Sequence, residues 1–204
     1  MDRKTNRQYV APGFLEDADD TAKTTLSLNL LGRATPPDRM IAIFEADHHF
    51  KTFAWERDPK FSANCNILNA LLYAPKPGKY VAQIYKAANF LCKLWYQGEV
   101  NDKWNPSPQY SKMLLTQALV RMLELWQDGS LNGSIEHHRE SAGIATYAVL
   151  TLTKLSSLPW LRTLGTDVSV AVEAGGGSVR TIMNNLLVKQ EPLWIDHGKT
   201  QSLA

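Results

Sequence analysis

Long apolar runs are missing from this chain: nowhere do roughly 18 hydrophobic residues follow one another, which excludes a membrane-spanning helix. Met1 to Gln8 is polar and offers no apolar signal region. Cysteine is scarce. Cys65 and Cys92 form neither a CxxC pair nor a disulfide framework, so they read as reduced, buried thiols in a cytoplasmic protein. Neither sign of charge dominates, since 22 Lys and Arg stand against 20 Asp and Glu. With no cationic run and no basic stripe interleaved with aromatics, no strong field points to nucleic acid or an anionic membrane, and no nucleic-acid partner is expected. Period-2 alternation, the mark of a half-buried strand, is almost wanting as well.

What is present is helical spacing on a hydrophobic content of 44%, enough to build a core and to exclude a disordered chain. The pattern predicts a helix from about Asp19 to Leu31, stopped at Gly32. A second opens at Pro36-Pro37-Asp38 and carries Met40, Ile41, Ile43 and Phe44 towards the His48-His49-Phe50 stretch. Residues 51–60 read as a loop, and Ser62 as the cap of a third helix that Pro75 ends. Pro75 to Gly78 turns into a long helix ending near Tyr96, and Tyr110 to Gln127 gives the strongest amphipathic pattern. A further helix is expected over residues 136–155. A break is expected at Gly175-Gly176-Gly177, because each helical glycine costs about 1 kcal/mol relative to alanine. Antiparallel helical hairpins joined by Pro-rich turns describe an all-α bundle or part of an α/α-barrel.

Three carboxylates, Asp17, Asp19 and Asp20, occupy four positions where the first helix starts. Two readings stand. Aspartates cap orphan N–H groups and oppose the positive dipole end of a helix. Alternatively they serve general acid catalysis, where crowded charge and desolvation hold a proton on the cluster while the helix terminus makes it more acidic. Ser62 and Asn66, about 45 residues downstream, lie one turn apart on a common helix face. An amide and a hydroxyl there could orient an acid, or they could be an ordinary cap and turn residue.

Asp17-Ala-Asp-Asp-Thr-Ala22 resembles the DxDD motif of class II diterpene cyclases, including copalyl diphosphate synthases. Phe50 to Arg57, Phe61 to Asn66, Asp102 to Tyr110 and Glu191 to Ile195 are similar, in the same order, to fungal bifunctional members of that family. The resemblance implies a terpene cyclase β domain across residues 1–204. It implies Asp19 as the general acid, Asn66 and Ser62 as its holders, and Asp17 and Asp20 as shapers of its acidity. It further implies protonation of geranylgeranyl diphosphate to give a copalyl diphosphate. Trp55, Trp104 and Tyr110 are then candidates for an aromatic wall that stabilises carbocations, or else core aromatics. Mg²⁺ would arrive on the substrate diphosphate, with its protein ligands outside this chain.

Departures accompany the match. Only about sixteen residues precede the motif, so a γ domain is expected to be absent from the chain and supplied by a partner. No DDxxD motif of a class I domain occurs. A catalytically inactive helical scaffold, or a cyclase for another prenyl substrate such as a drimane-type enzyme, are the competing readings. His48-His49 and His137-His138 lack ligand spacing and read as surface or loop residues.

Overall fold

The computed structural model describes residues 16–56, 58–100 and 108–131, with isolated positions between 149 and 177. Five α-helices occupy the described residues: α1 (Ala18–Leu30), α2 (Asp38–Phe44), α3 (Phe61–Leu72), α4 (Val81–Gln97) and α5 (Pro108–Gln127). A 3-10 turn, Pro77–Tyr80, leads into α4. Among the described residues the one strand-like pairing is an isolated bridge between Glu45 and Phe50. The chain is all-α, as the spacing predicts.

Helix α3 organises the rest. Its sequence is apolar on every side, with small residues such as Ala63, Cys65 and Ala70 between the large ones, and all twelve residues are buried. A helix of that kind has no face for water and must be surrounded. It packs against α1, α4 and α5. Burying each of Ile67, Leu68, Leu71 and Leu72 contributes about 1.5–3 kcal/mol. Three asparagines lie within this apolar setting, where an unpaired amide would cost about 1–3 kcal/mol. Each is bonded. The Asn64 side-chain amide donates to Phe50 O and to Lys60 O, both at 2.9 Å, and its oxygen accepts from Phe50 N at 2.9 Å. The Asn69 amide donates to Cys65 O at 3.1 Å.

The start of α3 differs from expectation. Lys60 is the N-cap, without a side-chain capping bond, and Ser62 lies inside the first turn at 5% exposure. Phe61 is drawn into the core and Asn64 bonds the Lys60 carbonyl, and together they start the helix before Ser62 could cap it. Helix α1 stops as predicted: Gly32 takes φ +74°, and Arg33 N donates back to Leu28 O at 2.8 Å. Asp38 at the start of α2 accepts from Lys79 Nζ and from Tyr80 OH, tying α2 to the 3-10 turn. Cys65 and Cys92 are both buried and not joined in a disulfide.

Beyond residue 131, Val149, Thr151 and Thr153 are described, all three in helical backbone. Glu173, Gly176 and Gly177 are helical, so the glycine run does not break the helix at those positions. Intrinsic propensity is a small term that context overrides. No helix among the described residues is long and apolar enough to cross a membrane.

Candidate active site

Asp17 has extended backbone and caps α1, its Oδ1 accepting from Asp20 N at 2.7 Å. Thr21 Oγ1 donates to Asp17 O at 2.6 Å and closes the first turn. The capping reading of the acidic cluster is therefore correct for Asp17. It does not account for Asp19. That carboxylate is oriented from two directions: Asn66 Nδ2 of α3 donates to Oδ1 at 2.6 Å, and Lys23 Nζ pairs with Oδ2 at 2.5 Å.

The loop between α2 and α3 links the two helices that bring Asp19 and Asn66 together. Asn64 grips both backbone groups of Phe50, and two residues later Thr52 O accepts from Ala18 N at 2.8 Å. Ala18 lies between Asp17 and Asp19. The start of α1 is thus tied to α3 once through this loop and once directly through Asn66.

Burial pushes the Asp17 carboxyl above the ordinary aspartate value, opposed by its bond from the Asp20 N–H and reinforced by repulsion from Asp20 and Asp19. For Lys23 burial acts against the charged form, but the hydrogen bond and attraction of Asp19 outweigh it. Tyr110 and Asp20 add to that attraction, and the ammonium is held above its usual value.

Of the other residues singled out, Tyr110 comes from α5, half-buried against the core and close enough to Lys23 to act on its charge. Trp55 is 62% exposed and stacks on Phe53 with ring centroids 5.3 Å apart. Trp104 and His137-His138 lie outside the described residues. His48 is exposed and His49 half-buried, its ring tilted against Phe90 at 5.5 Å. A cavity of 680 Å³ is lined by His48, His49, Lys86, Phe90 and Lys93 among others, and none of its lining residues belongs to the acidic cluster.

Sequence reading missed two residues. Lys23 was legible as a cation one turn after an acid, the i, i+4 spacing at which helical ion pairs form. Asn64 carried no such signal, because its partner Phe50 is a backbone 14 residues away.

Among the described residues no group of three or more His, Cys, Asp and Glu side chains could hold a metal ion. The oxygens of Asp17 and Asp19 face N–H donors, the backbone of Asp20, the amide of Asn66 and the ammonium of Lys23. A set of donors and a cation around carboxylates suits proton chemistry and opposes a cation cage.

Comparison with known proteins agrees with the resemblance. The chain is 36% identical to the pimaradiene synthase pbcA of Emericella nidulans over 91% of its own length and 22% of that protein's. It is 39% identical to a copalyl diphosphate synthase of Talaromyces verruculosus over 88% of this chain and 22% of the other. To an ent-kaur-16-ene synthase of Phaeosphaeria it is 35% identical over 77% of this chain and 20% of the other. The chain spans about a fifth of the length of these curated relatives. No family model and no solved structure matches it.

Proposed function

This chain belongs to the class II diterpene cyclase-like proteins, and on that footing we propose that it carries the general acid that protonates geranylgeranyl diphosphate. Asp19 is the donor. Its O–H bond breaks as a C–H bond forms at the terminal alkene, leaving a carboxylate on Asp19 and a tertiary carbocation on the substrate. Two ring closures follow, and loss of a proton to a base gives a copalyl diphosphate with the diphosphate retained. Atoms balance as an isomerisation.

The observation that carries this reading is the bond from Asn66 to Asp19 Oδ1, made between helices far apart in sequence. A carboxyl that served only to cap its own helix would not need an amide delivered by another. Asn66 fixes the orientation of the acid, Asp17 and Asp20 set the charge around it, and Ser62 lies one turn before Asn66 on the same helix. Tyr110 acts on the charge of Lys23, the partner of Asp19, and it is the candidate to face the passing cation. Trp55 and Trp104 remain part of the proposal as substrate-facing aromatics.

Mg²⁺ belongs to the proposal as a companion of the substrate diphosphate, held by groups outside this chain. The other wall of the pocket, a γ domain, is proposed to come from a partner chain. A cytoplasmic setting suits the two buried thiols, Cys65 and Cys92.

The test is incubation with geranylgeranyl diphosphate, Mg²⁺ and phosphatase, with and without a γ-containing partner, followed by assay for copalol. Wild type should form copalol and Asp19→Ala should not. Copalol from neither protein under both conditions would leave an inactive scaffold, and copalol from both would remove Asp19 from the role.

A further inference from the structure

Resting on that reading, we propose that Lys23 is a positioning residue for Asp19, holding Oδ2 while Asn66 holds Oδ1, and that it swings away when Oδ2 takes up the proton. Asn66 Nδ2 carries only N–H donors, so Oδ1 must stay an acceptor for that bond to persist. The carboxyl proton is therefore carried on Oδ2, the oxygen that Lys23 occupies. In the substrate-free structure the donor oxygen is closed by an ion pair.

Lys23 has room to leave, because its side chain is 43% exposed whereas that of Asp19 is 24% exposed. It also has somewhere to go. Asp20, one turn earlier on the same helix, attracts the ammonium. Asp17 also acts on Lys23, which offsets part of the rise in its carboxyl, although its Oδ1 is bonded to the Asp20 N–H. Arg39 of α2 pairs with Glu16, and α3 presents the neutral amide of Asn66. The loop before α3 offers the Thr52 carbonyl, which Ala18 N already occupies.

Once the proton has been delivered, Lys23 returns to Oδ2 and pairs with the carboxylate left behind, which favours delivery. Lys23→Met removes that partner and Lys23→Arg keeps it, so a positioning role should slow the first variant and spare the second.

The experiment compares wild type, Lys23→Met and Lys23→Arg. In the substrate-free full chain, the side-chain amide protons of Asn66 are followed by NMR. Lys23→Met should shift them towards the position of a solvated asparagine, and Lys23→Arg should keep them near wild type. Unchanged Asn66 signals in Lys23→Met, or equal loss in both variants, would overturn the proposal. With geranylgeranyl diphosphate, Lys23→Met should cyclise several-fold more slowly, and Lys23→Arg should stay near the wild-type rate. Equal rates in Lys23→Met and Lys23→Arg would also overturn it. If wild type forms no product, the cyclase reading fails, and the Asn66 signals still decide whether Lys23 positions Asp19.

Discussion

The side-chain amide of Asn66 reaches Asp19 Oδ1 at 2.6 Å across 47 positions of sequence, so the first turn of α1 and the buried helix α3 share one functional geometry. Asn66→Leu keeps a buried side chain of similar size and deletes the donor. The expected outcome is a loss of copalol formation on the order of 10²-fold, the scale at which a misplaced catalytic group costs rate. Helicity by circular dichroism should be unchanged. Turnover at the wild-type rate would show that Asp19 needs no support from α3.

Asn64 does for the backbone what Asn66 does for the acid. It is fully buried and uses both ends of its amide on Phe50 and Lys60. Asn64→Ala leaves the N–H and C=O of Phe50 without those partners, at about 1–3 kcal/mol. Urea unfolding should read that loss. Hydrogen exchange should quicken at Phe50 and also at Ala18, whose N–H reaches the same loop at Thr52. Faster exchange at Phe50 alone would break the proposed link from Asn64 to the acid motif.

These two asparagines show where the sequence could be read and where it could not. Helix positions followed from apolar spacing and from punctuation by Gly32, Pro75 and the Pro-rich stretch before α5, and four helices lie close to their predicted bounds. Helix α2 stops at Phe44, where Glu45 turns extended and bridges to Phe50, short of the expected run towards residues 48–50. The residue pattern alone left capping open for the acidic cluster and for Asn66, and the resemblance to DxDD cyclases singled them out. Asn64 and Asn69 sit in the same helix with the same chemistry, yet their partners are backbone groups brought in by tertiary packing. Side-chain spacing holds no record of such contacts. Ser62 erred in the other direction: hydroxyl residues favour caps, but the pull of Phe61 into the core outweighed that local preference.

The pH dependence of stability should carry the mark of Asp17. Its folded value is raised from 3.8, chiefly by burial, so the folded protein holds that proton more tightly than the unfolded chain. The associated stability is complete below pH 3.8 and is lost as pH rises through the folded value. Asp17→Asn keeps an oxygen for the Asp20 N–H and has no charge to bury. Relative to wild type it should gain stability between pH 3 and pH 7, read by urea unfolding at the two values. A difference that stays constant across that range would contradict the assignment.

Burial pushes the Cys92 thiol up to about 12. Thiolate is the reactive form, so alkylation of Cys92 by iodoacetamide at pH 8 should be negligible in the folded protein and complete in denaturant. Mass spectrometry of tryptic peptides distinguishes Cys92 from Cys65. Rapid labelling of Cys92 under native conditions would place it outside the core and undo the packing of α4 described above.

Gly78 sits where the 3-10 turn before α4 meets the turn after α5. A Cβ built there would lie 2.7 Å from the carbonyl oxygen of Ser130, closer than real contacts allow. That oxygen cannot easily retreat. Ser130 N is bonded to Asp128 Oδ1 at 2.8 Å, and Leu131 N donates to Leu125 O at 3.2 Å, so the turn is held on both sides of the carbonyl. Gly78→Ala should therefore destabilise by about 1–3 kcal/mol, the range for forcing extra atoms into a packed region. The contrast is Gly32, where a Cβ meets nothing within 4 Å and the constraint is the positive φ alone. Gly32→Asn, which tolerates that backbone, should cost less than Gly78→Ala in the same thermal unfolding series. The reverse order would mean that the close approach between the two turns is not what requires glycine at position 78.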